Sequence, residues 1–260
     1  MKHPVIALLT DFGTEDGYVG AMKGRILTDL PEAHLVDISH QIRPFDVRQA
    51  AFCLNNSYPY FPDKTVFVAV VDPGVGTERR GMMVKTSHHY FVGPDNGIFS
   101  FVFHREGFQA WEISLGTFSE DVSPTFHGRD VFAPLAAWIG RGENLSKYLL
   151  PLREPQTFLR PPHRVGEKEF QLEVLHVDHF GNLILNFHKN EWLSFEDASE
   201  LRVVVKDLEL REIQPTFAAA PEGELLLCWD SSGFLQIARN QGNASRSLAM
   251  GVGDPIRLLL

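Results

Sequence analysis

The apolar run Val66-Phe67-Val68-Ala69-Val70 passes directly into Val71-Asp72-Pro73-Gly74-Val75-Gly76-Thr77-Glu78-Arg79-Arg80. A strand-like segment thus ends in an acid, a glycine-rich turn and two arginines. An acid that ends a buried strand is costly unless it is paired or bound. Other polar stretches share this placement. "LLTDFGTEDGYVG" (8–20) supplies Asp11 and Asp16, "VGPDNGIFS" (92–100) supplies Asp95 and Asn96, and "SPTFHGRDVFAPL" (123–135) supplies His127, Arg129 and Asp130. Carboxylates beside His and Arg can orient a water and stabilise developing hydroxide. An acid-glycine turn after a strand also suits a nucleotide. Plainer roles stand beside these: first-turn helix acids for Asp16 and Asp130, a structural histidine for His127, solvated turn residues for Arg79 and Arg80, and turn capping for Asp11 and Asp72.

The elements that position these residues follow from hydrophobic periodicity. Val5–Leu9 is a continuous apolar run of the buried-strand type. Thr14 is a candidate N-cap with Glu15 and Asp16 in the first turn, and Val19, Met22, Ile26 and Leu30 recur at helical spacing before Pro31. Leu35–Ile38 reads as a strand and Val47–Leu54 as a helix; 66–71, 82–84 and 90–92 read as further strands. Arg129–Ile139 reads as a helix that Pro134 can kink. This alternation predicts an α/β fold with a mainly parallel sheet covered on both faces. Ligands in such a sheet sit at the carboxyl ends of the strands, where all four polar loops fall.

The proline-rich stretch "PLREPQTFLRPPHRVGE" (151–167) reads as a linker. Short β-like segments follow at 170–177, 183–187, 201–205, 225–229, 234–237 and 256–260, the pattern of a small barrel or sandwich. Two domains are expected, 1–155 and 168–260. With 260 residues, 44% of them hydrophobic, the chain can bury a substantial core. The formal charge of -9 and the lack of a basic stripe argue against nucleic acid. No apolar stretch approaches the roughly 20 residues of a membrane span. The start runs into a strand with no signal-peptide pattern, and Cys53 and Cys228 read as reduced core thiols. A cytoplasmic protein is expected.

The dinucleotide fingerprint fails on spacing, since Arg79 stands where the third glycine belongs, and no P-loop occurs. The acid-glycine loop is also weakly like that of Rossmann-type methyltransferases, but it follows the third strand and not the first. Taken together and in order, "LLTDFGTEDGYVGAMKG", "VVDPGVGTERR", "VGPDNG", "TFHGRDVFAP" and "VDHFGNLILN" resemble the S-adenosylmethionine hydroxide adenosyltransferase family. This is the hydrolase branch of a group that includes the fluorinase and chlorinase. The resemblance runs from Ala7 to "SSGFLQIARNQGNA" (231–244).

It implies a Rossmann-like N-terminal α/β domain, a C-terminal β-barrel, and a homotrimer with active sites between subunits. The implied reaction is hydrolysis of S-adenosylmethionine to adenosine and L-methionine, with no cofactor and no metal. By motif position the catalytic set falls on Asp72, Arg79 and His127. Asp11 matches the acid holding the ribose hydroxyls, and Phe45 an aromatic against the ribose. Asp16 and Asp178 match groups near the methionine ammonium, and Ser231 lies near the carboxylate. Asn182, with the backbone around Arg239 and Gln241, matches the adenine contacts. The fluorinase has Tyr at positions 72 and 127 and Ser at 128, and an Arg where this chain has Ser232. Competing functions are halide-dependent adenosyl transfer and ligand binding without turnover. His176 and His179 in "HVDH" do not read as a zinc pair, because strand residues three apart face opposite ways. His127 is expected to titrate between about pH 6 and 9, raised by Asp72 and lowered by Arg79.

Overall fold

A strand that is apolar at every position must be covered on both faces, and Val5–Thr10 (β1) meets this demand. It is followed by Tyr18–Asp29 (α1), His34–Ser39 (β2), Val47–Ser57 (α2) and the wholly buried Val66–Val70 (β3). Gly81–Thr86 (β4), Tyr90–Pro94 (β5), Ser100–Arg105 (α3), Phe108–Ile113 (β6), Ala133–Arg141 (α4) and Leu149–Pro151 (β7) complete the N-terminal unit. The computed structural model describes residues 3–118, 121–192 and 201–260, in two units, Met1–Phe158 and Leu159–Leu260.

The N-terminal unit holds a seven-stranded sheet in the order β2-β1-β3-β5-β4-β6-β7. Ile6, Leu8, Val66, Val68 and Val70 face α1 and α4. Their alternates Ala7, Leu9, Phe67, Ala69 and Val71 face α2 and α3. Helices thus cover both faces, as periodicity predicts.

Strand direction corrects the expectation of a mainly parallel sheet. β2, β1, β3 and β5 pair in parallel, but β4 is antiparallel to β5 and β6, and β6 to β7. The sheet is mixed. The cause is local: only Ser87-His88-His89 separates β4 from β5, too little for a crossover helix, so the pair must form a hairpin. The reversal matters for the site, because it brings the entry of β4 to the carboxyl ends of β3 and β5.

Helix starts also differ from expectation. α1 begins at Tyr18 after Gly17, and its first turn contains no acid, so Thr14 is not its cap and Asp16 lies in the exposed turn before it. Gly13, at φ 67, makes that turn with its N–H on the His40 carbonyl at 2.8 Å. The stretch from 129 is not one α-helix. Gly128–Phe132 forms a π-helical turn, and α4 starts at Ala133 with Pro134 in its first turn. Proline has no N–H to give to a preceding carbonyl, so the ladder changes register there and does not kink within α4.

The C-terminal unit is antiparallel throughout its strand ladders. His163–Arg164 (β8), Glu169–Val177 (β9), Leu183–His188 (β10), Lys189–Trp192 (α5), Arg202–Val205 (β11), Leu208–Leu210 (β12), Leu225–Trp229 (β13), Phe234–Arg239 (β14), Ala244–Leu248 (α6) and Pro255–Leu259 (β15) follow in order. The sheet runs β12-β11-β15-β9-β10-β14-β13, with β8 on β9. A bridge between Ile213 and Leu227, with the Gln214 N–H on the Leu227 carbonyl at 2.7 Å, ties the segment after β12 to β13. The sheet is therefore nearly barrel-shaped, around Leu172, Val174, Leu185, Val203, Leu227, Leu235, Ile237 and Leu258. The stretch 151–167 is not a structureless linker. Its first part is pinned to the N-terminal unit by the Gln156 N–H on Asp95 Oδ1 (2.7 Å) and the Phe158 N–H on Ser100 Oγ (3.1 Å), and β8 lies in its second part.

Gly93 in β5 is demanded by a close approach. A Cβ there would run into the Ala69 carbonyl oxygen of β3, with the Phe99 ring 3.1 Å away. Backbone meets backbone, so nothing can swing aside. Gly93→Ala is expected to destabilise the N-terminal unit by about 3 kcal/mol, measured as a lower midpoint in urea unfolding.

Candidate active site

β3 delivers Asp72 to the end of the sheet, and the turn that follows brings Arg79 back onto it. Val75 and Thr77 donate their N–H groups to Asp72 and Gly74 carbonyls at 3.3 and 3.2 Å, and Thr77 Oγ1 donates to the Gly74 carbonyl at 2.7 Å. Gly76, at φ 75, lies so close to the Pro124 carbonyl oxygen that no side chain fits. The turn thereby packs on the loop that carries His127.

Arg79 forks onto Asp72, Nε to Oδ1 at 3.1 Å and Nη2 to Oδ2 at 2.5 Å. The same Nη2 lies 3.1 Å from His127 Nδ1. A guanidinium can only donate, so Nδ1 accepts and the neutral imidazole carries its proton on Nε2. The Asp72 and Arg79 side chains are 5% and 7% exposed, and His127 is 4% exposed. Phe132, in the π-helical turn, sets its ring 5.6 Å from the guanidinium carbon. Arg79 Nη1 is buried without a hydrogen-bond partner among the described residues.

Burial pushes the Asp72 carboxyl above its ordinary range, against the charge and hydrogen bonds of Arg79, the His127 charge and the Gly74 N–H. Burial likewise pushes His127 down, Arg79 adds to the fall, and the Asp72 and Asp130 charges only partly oppose it. The direction is downward from the ordinary histidine value, toward the acid end of the expected window of pH 6 to 9. Desolvation, invisible in a motif, decides the sign.

A cleft of about 280 Å³ lies beside this network, lined by Asp11, Phe12, Phe45, Asp72, Val75, Phe126, His127 and others. Asp11 is fixed by accepting the Phe45 N–H on Oδ2 at 2.8 Å. Phe45 is held at φ 69, a left-handed conformation that L-residues avoid, and the residue is 71% exposed. Phe12, Phe126 and Tyr18 meet edge to face, at 5.9 Å between the first two and 5.5 Å between Phe126 and Tyr18. Phe12, Val75 and Phe126 were not singled out from sequence, although each adjoins or lies within a polar motif. Asp16 is exposed and does not line the cleft.

A second cavity, of about 520 Å³, lies in the C-terminal unit and is lined by Phe180, Asn182, Phe217, Arg239, Gln241 and Gly242. Asp178 stands behind it, accepting the Phe180 and Asn182 N–H groups on Oδ1 (2.9 and 2.8 Å) and Asn182 Nδ2 on Oδ2 (2.8 Å). Arg239 is committed to the Gly223 carbonyl at 2.6 Å and Ser247 Oγ at 2.5 Å, and Gln241 has φ 53. Ser231 is exposed in the turn after β13 and lines neither cavity. In that turn Asp230 accepts the Ser232 and Phe234 N–H groups at 2.9 and 2.7 Å. Sequence reading had passed over Phe180, Phe217 and Asp230.

Other charged candidates have structural partners. Asp95 Oδ2 lies 2.6 Å from Arg80 Nη2, and Asn96 Nδ2 donates to the Val71 carbonyl at 2.9 Å. Arg129 forks onto Asp130 at 2.7 and 2.8 Å, and Asp130 also accepts the Ser123 N–H at 2.9 Å. Cys53 and Cys228 are free thiols. Among the described residues, no group of three or more His, Cys, Asp or Glu is placed to hold a metal, and no helix is long and apolar enough to cross a membrane.

Residues 6–148 match the SAM hydroxide adenosyltransferase N-terminal domain, and residues 172–257 match its C-terminal domain. The chain belongs to this family. It is 37% identical to the (R)-S-adenosyl-L-methionine hydrolase of Methanocaldococcus jannaschii, over 98% of this chain and 95% of that protein. The hydrolase of the same name from Thermus thermophilus is 36% identical, over 98% and 99%. A fluorinase of Nocardia brasiliensis is more distant, 26% identical over 99% and 97%. Among solved structures, an uncharacterized conserved protein from Thermotoga maritima superposes with TM-score 0.85 at 38% identity, covering 98% of this chain and 100% of that one. In this member of the adenosyltransferase family, the buried Asp72–Arg79–His127 network lies beside the cleft.

His127 is expected to titrate below the ordinary histidine value near 6.5. Asp72→Asn should lower it further, because the carboxylate is one of the charges holding it up. Proton NMR of the imidazole Cε1–H against pH reads both. A midpoint above 7 in the wild-type protein would contradict the burial argument.

Proposed function

We propose that this protein hydrolyses S-adenosylmethionine to adenosine and L-methionine. The observation that carries the reading is the buried Asp72–Arg79–His127 network on a cleft. It occurs in a chain 36% to 38% identical to curated hydrolases over nearly its whole length.

The sulfonium is a leaving group that needs no proton. A water oxygen attacks C5′ in line, the C5′–S bond breaks, and its electron pair returns to sulfur as neutral methionine thioether. Free water, with a pKa of about 15.7, is a poor nucleophile, but its proton becomes strongly acidic as the C–O bond forms. A carboxylate is then base enough. His127 cannot serve as base through Nδ1, whose lone pair takes the Arg79 hydrogen. We therefore assign proton acceptance to Asp72, whose oxygens keep lone pairs beyond those used by Arg79. His127 orients the water through Nε2–H, and Arg79 holds both partners and stabilises developing negative charge. The reading requires no metal or cofactor.

For substrate binding we assign Asp11 to the ribose hydroxyls and Phe45 to the ribose face. Asn182 and the Arg239–Gln241 strand end take the adenine, and Asp16, Asp178 and Ser231 the methionine end. The assigned ribose residues line the cavity of the N-terminal unit and the assigned adenine residues that of the C-terminal unit. We infer a site completed between copies of the chain, in a cytoplasmic homotrimer built from a Rossmann-like domain and a barrel.

Incubation of pure protein with S-adenosylmethionine, with and without chloride, should release adenosine in both cases. A chlorinated nucleoside would establish halide transfer, and binding without product would establish a sensor. Asp72→Asn is expected to slow turnover by about 10² to 10⁴, with substrate affinity kept within about tenfold. Adenosine release at the wild-type rate from that variant would remove Asp72 from the chemistry. Prolonged chelation should leave the rate unchanged.

The rate under saturating substrate should rise with pH on the acid side, as His127 loses its proton below about 6.5, and then stay level to about pH 9. The sign follows from the bond to Arg79: protonated Nδ1 cannot accept it. A rate that falls between pH 7 and 9 with the His127 titration would reverse the assigned role.

A further inference from the structure

Asp11 sits between two residues that are tied to something the cleft does not touch. Thr10, fully buried, places Oγ1 2.8 Å from Nδ1 of His40, itself 5% exposed. The Phe12 N–H donates to the same Oγ1 at 3.2 Å. Beyond the ring, His40 Nε2 lies 3.0 Å from Asp37 Oδ1, and Lys23 Nζ reaches Asp37 Oδ2 at 2.6 Å. Donors from both ends converge on Asp37. Lys23 Nζ donates to its carboxylate from one side; from the other, the Phe12 N–H donates to Thr10, Thr10 Oγ1 donates to Nδ1, and the protonated Nε2 faces the carboxylate.

The arrangement is like a hydroxyl–imidazole–carboxylate triad in composition, but Thr10 has no exposed surface and cannot be a nucleophile. Its effect is geometric. The chain starts on α1, crosses β2 and ends on the residues either side of Asp11. Further stitches join the same two loops: the Gly13 N–H on the His40 carbonyl at 2.8 Å, and the Phe45 N–H on Asp11 Oδ2 at 2.8 Å. A carboxylate that accepts from Phe45 on Oδ2 and stands on a backbone clamped on both sides presents Oδ1 in one direction. Burial raises the Asp37 carboxyl, but the bonds and charges of Lys23 and His40 outweigh it and hold the group ionised, so the far end of the chain stays an acceptor.

We propose that Lys23, Asp37, His40 and Thr10 form a positioning device that aims Asp11 and thereby sets the affinity of the site for a vicinal diol. The proposal rests on the assignment of Asp11 to the ribose. These four side chains act through Asp11 and touch no substrate.

The test uses the full-length protein with two nucleoside probes, adenosine and 2′,3′-dideoxyadenosine, read by calorimetry, beside KM and kcat for S-adenosylmethionine. Thr10→Val removes the hydroxyl and keeps the shape. It is expected to weaken adenosine binding and raise KM by about tenfold, with kcat within about threefold and dideoxyadenosine binding unchanged. Thr10→Ser should restore wild-type values, and in an Asp11→Ala background Thr10→Val should have no further effect. If Asp11→Ala weakens adenosine binding but Thr10→Val does not, the positioning proposal fails while the ribose assignment stands. If Asp11→Ala leaves adenosine binding unchanged, the ribose assignment falls and takes the proposal with it. Equal loss for both nucleosides would mean that Thr10 only supports the fold, and would also overturn the proposal. Should Thr10→Val not fold, His40→Gln read with the same two probes decides the matter.

Discussion

A carboxylate and a guanidinium taken out of water together are tolerated only when geometry and further hydrogen bonds repay their lost hydration. The Asp72–Arg79 pair meets that condition with a two-point fork and a histidine behind it. Much of the N-terminal unit can be understood as what this pair requires. β3 must be buried on both faces to carry Asp72 inward. The turn must be glycine-rich to bring Arg79 back across only a few residues, and Gly76 must lack a side chain to let the His127 loop close over it. Phe132 shields the guanidinium from the π-helical turn.

The mixed sheet serves the same end. Were β4 parallel to its neighbours, the chain after Arg80 would have to travel to the far edge before re-entering the sheet. As a hairpin partner of β5, β4 begins where β3 and β5 end. Asp72, Arg79, Arg80 and Asp95 are thereby gathered at one end of the sheet. Two of these charges face the cleft network, and the other two staple the end of the unit through Arg80, Asp95 and Gln156.

Most strands and helices were legible because continuous apolar runs and helical spacing report burial directly. Strand direction was not, since β4 reads the same either way and only the length of its connection to β5 decides. The start of α1 was misplaced because Thr14, Glu15 and Asp16 are also ordinary turn residues, and Gly13 and Gly17 kept the chain in a turn. β6 escaped notice because Phe108–Ile113 mixes exposed and half-buried positions without an apolar run, and β12 because Leu208–Leu210 is only three residues long. At the site, motif order picked out Asp72, Arg79 and His127, which the fold brings into contact. The partners of Asp95, and the chain from Lys23 to Thr10, join residues distant in sequence, and no local pattern announces them. The downward shift of His127 was hidden for another reason: it comes from burial, which is a property of the finished packing.

The bridge between Ile213 and Leu227 gives the C-terminal barrel a seam. Elsewhere its staves are joined by antiparallel ladders, whereas here, among the described residues, an isolated bridge stands in place of a ladder. Loosening it would bare Leu227 and the apolar lumen while the ladders held, so the seam is the cheapest place for the barrel to breathe.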